Sequence, residues 1–575
     1  MRKRFPNPIA VDQQRLPSRW PRVVGRAAAY CALIAGAAVF SFPFLWMAAT
    51  SVKVDRELQT RDLRIVPLSP HPQARSPYID TAYYADLEGP WQQQLLPALE
   101  QMIDATGFPI PADVNRQLAR EQIARGLYSR LRVRLPAERW RDTLPGGAER
   151  LLAAAKADVD AEIVSDVFGR IYRRLTIGVI RLRNWDVKEV ELGAEAGERI
   201  PVSARLDIST SSAVTLQDLP EEPKPVAKVN YDFTAAGSIV LSRTYQVPAE
   251  FDLRKLRRLQ MEVRPDDTWH ELWLSVEMNG ERYRAARAFL LGNFEVVTAA
   301  WQPAGPDERS TKIKSWIRLE KLDEPSPVSA PDQIRGKLEV IRCGKAAAWR
   351  NKIVNNYNRV LDHIPFWRYV RVSVFLVIVK ILLALVFSSL VAYSFARLNW
   401  PGREFCFILM LATMMIPHQV IMIPQFLIWR SLGAYNTLTP LWLGPAFGNA
   451  FFIFLLRQFL KGIPRDLEDA ARIDGCGFLG IYWHIMLPLI KPSLAAIAVF
   501  TFMETWNDFM GPLIYVADQR LYPLAFGLYA FSVQVNNDPA LTMAASLLMT
   551  LPVIVIFFFA QKYFIQGVTL TGMKQ

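Results

Sequence analysis

The chain has 575 residues, with 67 Lys+Arg against 54 Asp+Glu and 51% hydrophobic residues. That length exceeds one ordinary domain, its charges are too dense for a chain that is membrane throughout, and its apolar runs are too long for one that is soluble throughout. Residues 51–370 carry 47 basic and 44 acidic side chains, so most of the net charge of +13 sits in the hydrophobic remainder. This excludes the basic soluble surface of a nucleic-acid binder and suggests positive charge at the ends of membrane spans.

Residues 1–26 hold seven Arg/Lys and one Asp, and residues 27–52 hold no charge. A bilayer core is crossed by about 20 apolar residues. Residues 27–50 are therefore read as a retained first transmembrane helix behind a basic cytoplasmic N-terminus (1–26). A cleaved signal would have a shorter apolar core of about 7–15 residues.

From about 91 to 175, apolar residues recur at helical spacing, as in LLPALEQMI and IVSDVFGRIYRRL. From about 176 to 320, short alternating runs such as GSIVLSRTYQV and ELWLSVEMNG follow, the pattern of a β-sandwich. LPEEPKPVAK (219–228) reads as an exposed linker or loop. Asp266, Asp267 and Glu271 follow a Pro turn and read as a solvated loop. Trp269, Trp273, Tyr283 and Trp301 could stack on sugar rings, but the favoured reading is core aromatics, which bury much area in sandwiches. Cys31, Cys343, Cys406 and Cys476 show no CxxC spacing and the histidines no cluster, which argues against a metal site or a disulfide scaffold.

After residue 370 the chain is apolar again, with spans expected at 372–395, 405–429, 437–456, 489–515 and 541–561. The fold class expected is an α-helical polytopic membrane protein of six transmembrane helices with an inserted α+β extracytoplasmic domain over 51–370. Segments 397–404, 457–488 and 562–575 share the side of the N-terminus and are rich in Lys/Arg. The short loops opposite hold only Arg430 and Arg520. The positive-inside rule then puts both termini in the cytoplasm of a bacterial inner membrane. Lys380 falls within the second span, where snorkelling or structural pairing is the favoured reading. Glu504, Trp506, Asn507 and Asp508 in the fifth are candidate translocation-path residues, since ionisable groups in spans often mark pathways. Pro417 and Pro424 would interrupt the third span's hydrogen-bond ladder.

The most informative segment is 457–488, RQFLKGIPRDLEDAARIDGCGFLGIYWHIMLP. Pro464 suits a first helical turn, Ala470 and Ala471 allow close approach, and Gly475 can leave the helix with φ > 0. A second apolar helix, Phe478 to Leu487, is expected to end at Pro488, giving a helix–turn–helix across the base of the bundle. The spacing Asp469-Ala470-Ala471, Gly475, then Ile485, Leu487 and Pro488 resembles the EAA signature of ATP-binding-cassette importer permeases. FPFLWMAATSVK (42–53), AYSFARLNWPGR (392–403), MMIPHQVIMIPQF (414–426), FTFMETWNDFMGPLI (500–514) and QGVTLTGMKQ (566–575) are similar to the shorter permease subunit of the maltose-type carbohydrate subgroup.

The resemblance implies import of a sugar or sugar derivative, with Glu468, Asp469, Ala470, Ala471, Asp474 and Gly475 in the ATPase-coupling loop. Either Glu468 or Asp469 can be the main contact, since the family's leading Glu is Asp469 here. It also implies two ATPase subunits that bind ATP-Mg, a second permease subunit, expected to be a different chain, and an extracytoplasmic solute-binding protein. This chain shows no GxxxxGK[ST], so it is read as a transporter subunit without catalytic residues or a cofactor of its own. The family's loop after the first span is short, whereas about 300 residues intervene here, and docking of the binding protein is the preferred use of the insertion. The alternative reading is a membrane-anchored glycan receptor or sensor that has lost transport.

Overall fold

The computed structural model describes residues 19–58, 65–84, 89, 92–134, 152–153, 155–156, 159–193, 200–208, 214–219, 224–234, 236–305, 316–328, 330–535 and 538–569. The basic stretch before Arg19, the centre of the 219–228 linker and the end of QGVTLTGMKQ lie outside these residues.

Three described helices are long and apolar enough to cross a bilayer: Ala28–Ser51, Phe366–Arg397 and Pro539–Phe559. The first has no buried residue in its apolar window and packs along Pro539–Thr569. The other expected spans are interrupted. The 405–429 run is two helices, Arg403–Thr413 and His418–Ser431, parted at Pro417. The 437–456 run is broken by Gly448, at φ 98°. Asn449 then caps helix Ala450–Lys461 by accepting from Phe451 N at 2.9 Å. The 489–515 run stops at Asp508, whose ψ of 107° leaves the helix, and restarts at Met510. Hydropathy passes over these breaks, because the few polar residues at them are averaged with long apolar flanks.

The insertion has two parts. Helices Gln92–Ala105, Arg116–Arg134 and Ala161–Ile171 surround a core of Leu95, Leu99, Ile123, Leu127, Val164 and Ile171. Asp160 caps the third, accepting from Ile163 N at 2.7 Å. Gly126 lets helices meet, since an added Cβ would collide with Val167. The second part is not the expected sandwich of two sheets. Fourteen of the described strands form one ladder, from Arg75–Ser76 at one edge to Asp207–Ile208 at the other, and Tyr78–Ile79 pairs separately with Tyr172–Arg173. All its pairs are antiparallel except Val297–Pro303 with Ile317–Pro325.

The sheet curls back on a single core. A Cβ added at Gly336 would lie 4.0 Å from Ile180, although five strands separate them in the ladder. Tyr245 donates to the Arg205 carbonyl at 2.6 Å from the same interior. Alternation shows which side of each strand is buried and is silent on whether the facing strands belong to a second sheet. The strands also run on past the expected 320, to Ile341.

The PDDTWH loop, expected to be solvated, is buried. Asp266 is 0% exposed and accepts from Tyr231 Oη at 2.5 Å and Thr268 Oγ1 at 2.7 Å. Left-handed backbone at Asp267 and Trp269 (φ 63° at both) folds the loop inward. Burial and the Asp266 charge push the Tyr231 phenol well up, so it stays a donor. Glu271 is half-buried.

Candidate functional site

The site begins where the bundle hands the chain to helix Asp466–Ile473. Asp466, Glu468 and Asp469 occupy its first turn, where the helix dipole favours negative charge. Arg397, the last residue of Phe366–Arg397, donates to the Leu460 and Ile463 carbonyls. Its Nε lies 2.9 Å from Glu468 Oε1, and the two side chains are 3% and 5% exposed. Arg472 reaches the other Glu468 oxygen at 3.6 Å. Glu468 is thus an internal anchor. Asp469 is 62% exposed and contacts Arg472 at 3.3 Å. Between the two acids, the outward one matches the signature position.

Ala471 is buried and Ala470 exposed, so the small residues serve packing on one side and access on the other. The helix closes in a Schellman turn, with Cys476 N donating to Ala471 O at 2.9 Å and Gly475 N to Arg472 O at 3.0 Å. Gly475 sits at φ +84° with nothing within 4 Å of an added Cβ, so the turn needs glycine for its backbone and not for space. Asp474 is exposed beside it.

The second helix differs from the expected Phe478–Leu487 run. Helix Phe478–Ile481 widens into a π turn at Tyr482–Met486, and Leu487–Leu489 follows. Pro488 does not itself end the helix, which bends by 76° into Lys491–Asn507 at Ile490. Tyr482 Oη shares a 2.7 Å hydrogen bond with Ser389 Oγ, and Tyr393 donates to Phe478 O at 3.2 Å. Ile485 and Leu487 are half-buried and Pro488 exposed. Ile473 (87% exposed), Phe478, Leu479 and Trp483 form an apolar face open to the outside, a surface suited to protein contact. Sequence reasoning missed Arg397, although it lies in the quoted AYSFARLNWPGR segment.

The membrane candidates divide. Trp506 is buried, stacked on Phe502 at 5.5 Å and donating to Met549 O at 3.3 Å. Asp508 accepts from Gly511 N at 2.9 Å and faces Lys380 Nζ at 3.9 Å, in keeping with the pairing read for Lys380. Glu504 and Asn507 point outward from the helix. Lys380 and Asp508 are brought together, while Glu504 stands apart. In the insertion, Trp301 (0% exposed) and Trp269 lie in core clusters, as favoured from sequence. Trp273 is half-buried, donating to Glu271 Oε2 at 3.1 Å under the Arg284 guanidinium.

The family profile described as "Binding-protein-dependent transport system inner membrane component" matches residues 373–570. Over 209 residues the chain is 39% identical to the arabinooligosaccharides transport system permease protein AraQ of Halalkalibacterium halodurans, covering 36% of this chain and 75% of that protein. The chain belongs to this permease family. The permease is also 38% identical over 192 residues to AraQ of Bacillus subtilis, covering 33% of this chain and 68% of that protein. It is 30% identical over 234 residues to the lactose transport system permease protein LacG of Rhizobium radiobacter, covering 41% and 82%. A crystal structure of a bacterial transporter that imports the acidic polysaccharide alginate aligns with 28% identity and a TM-score of 0.34, over 36% of this chain and 79% of that one. The permease is a multi-pass membrane subunit of an importer and not its ATPase. The profile starts at residue 373, so the insertion lies outside it.

Proposed function

We propose that the permease moves a sugar or sugar derivative through a six-span membrane core. Its residues 51–370 lie on the extracytoplasmic side of the inner membrane and both termini lie in the cytoplasm. Two ATPase subunits bind ATP-Mg and close on the coupling helix Asp466–Ile473. A second permease chain completes the path, and a solute-binding protein delivers the solute by docking on the insertion. The observation that supports this reading best is the division of labour at 468–475. Glu468 is fixed to Arg397, while Asp469, Ala470 and Ile473 face outward ahead of a glycine turn. Such a helix can take a push from a partner and pass it to the bundle. The sugar class follows from the named transport of the similar permeases. Glu504, Trp506, Asn507 and Asp508 are proposed to line the path, with Lys380 paired to Asp508.

The test is purification from the native membrane in mild detergent with identification of the co-purifying chains. Reconstituted uptake of labelled arabino-oligosaccharides and lactose follows. Co-purifying ATPase and permease chains with saturable ATP-dependent uptake are expected. Absence of any ATPase under conditions that keep a known importer intact would overturn the coupling reading.

A further inference from the structure

Helix Lys345–His363 joins the last strand of the sheet to the membrane helix Phe366–Arg397. Its first turns are fixed to the insertion. Asn351 Nδ2 donates to Trp269 O and to Glu271 Oε1, both at 3.2 Å. Ala348 packs with Trp269 and Val54. Its last turns pack on the membrane core, where Val360 shares a cluster with Phe366, Tyr369, Trp506 and Phe531, and Arg287 of the insertion also donates to Asp362 there at 2.6 Å. Arg359 pairs with Asp538 at 2.9 Å.

Its middle holds the end of the first membrane helix. Asn356 Nδ2 donates to Ser51 O and Lys53 O, both at 2.9 Å, and Tyr357 Oη shares a 2.8 Å hydrogen bond with Ser51 Oγ. Beside these, Lys352 pairs with Glu57, and the side chains are 2% and 4% exposed. Lys352 also donates to Leu68 O at 2.6 Å, and Leu68 N donates to Glu57 Oε2 at 2.8 Å. Lys53 is buried beside them and also interacts with Glu57, so removing one charge unbalances a buried cluster.

The path continues. The backbone leaves the helix at Ile364–Pro365, so motion passes to Phe366 through the Val360, Ile364 and Tyr369 packing. Phe366–Arg397 then runs 32 residues to Arg397, which grips Glu468 of the coupling helix. One helix is clamped at one end by the strut Lys345–His363 and at the other by the coupling loop. We infer that the strut links the state of the insertion to the ATPase-coupling helix, with Glu57 and Lys352 as its positioning pair. The inference rests on the coupling reading above and does not require that the binding protein docks on the insertion.

Linkage is reciprocal, so the nucleotide state must be felt at the strut, and no solute is needed for the test. The intact complex is trapped with Mg-ATP and vanadate, and backbone amide exchange is followed at residues 51–58 and 345–363. Trapping is expected to change exchange there about 5-fold or more. Lys352→Met and Glu57→Gln are expected to lose that response while vanadate-trapped nucleotide stays at the wild-type level. Lys352→Arg, which keeps a cation against Glu57, is expected to keep the response. An unchanged strut in the trapped wild type, or a full response in both Lys352→Met and Glu57→Gln, would overturn the inference. Failed binding-protein docking with an intact nucleotide response would refute only the docking role.

Discussion

Replacing Gly475 by Val tests the coupling turn at one atom pair. At φ +84°, a residue with a Cβ suffers the left-handed penalty of about 1–2 kcal/mol, and a β-branched one sits at the upper end. No atom lies within 4 Å of the added Cβ, so no packing clash adds to it. The Schellman turn should then be populated about 5–30-fold less relative to unstrained alternatives. Solute-stimulated ATP hydrolysis and uptake by the reconstituted complex should fall by up to that factor, while the partner-free basal hydrolysis of the ATPases is unaltered. Gly475→Asn should lose least, because Asn tolerates the left-handed region, and Gly475→Ala should fall between. Wild-type coupling in Gly475→Val would refute the reasoning. Equal losses in Val and Asn would instead point to a partner surface that excludes any side chain.

The other expectations are as follows. Glu468→Gln strands the Arg397 charge and should lower thermal stability by roughly 3–5 kcal/mol. Asp469→Asn, being exposed, should leave the melting temperature alone and reduce ATPase association in a pull-down. Trp301→Ala removes a fully buried core ring and should destabilise the insertion by roughly 3–5 kcal/mol, seen as protease sensitivity of residues 175–341; a folded insertion with lost glycan binding would contradict it. His270 accepts from Cys343 N through Nδ1 at 3.1 Å, so its proton sits on Nε2, facing Gln73 O at 2.9 Å. Burial lowers its pKa, the nearby Asp266 opposing and Arg342 adding to the shift. The folded state therefore binds fewer protons than the unfolded chain. Stability of the insertion should be full above the ordinary value of 6.5 and fall as pH drops toward the lowered folded value. His270→Gln should flatten that slope in thermal unfolding across this range.

The helix and glycine turn at 466–476 were legible because their chemistry is local. Two alanines, a glycine and an I-x-LP at fixed intervals describe a turn whose hydrogen bonds span five residues. What was not legible depended on distant partners. Whether Glu468 or Asp469 faces inward is decided by Arg397, some seventy residues earlier in the chain. Asp266 and Asp267 look like a turn in any window, yet Tyr231 and Asn293 receive them in the interior. Lys352 and Glu57 are separated by 295 positions and carry no pattern that links them. The sheet's closure was hidden for a related reason. Ile180 and Gly336 meet through curvature accumulated over intervening strands, while each strand alone shows only alternation.

The placement of the strut bears on how the molecule is made. The first membrane helix ends at Ser51 and the next begins at Phe366, so at 5–20 residues per second the ribosome delivers the second span about 15–60 s after the first. Through that interval Ala28–Ser51 has no second span to pack on, and an apolar window without a buried residue is what lets it wait in lipid. Asn356 and Tyr357 emerge just before the second span and bind the far end of the first. The staple closes as the bundle starts to assemble, and a chain whose insertion misfolds would present its later spans with the first one unfastened.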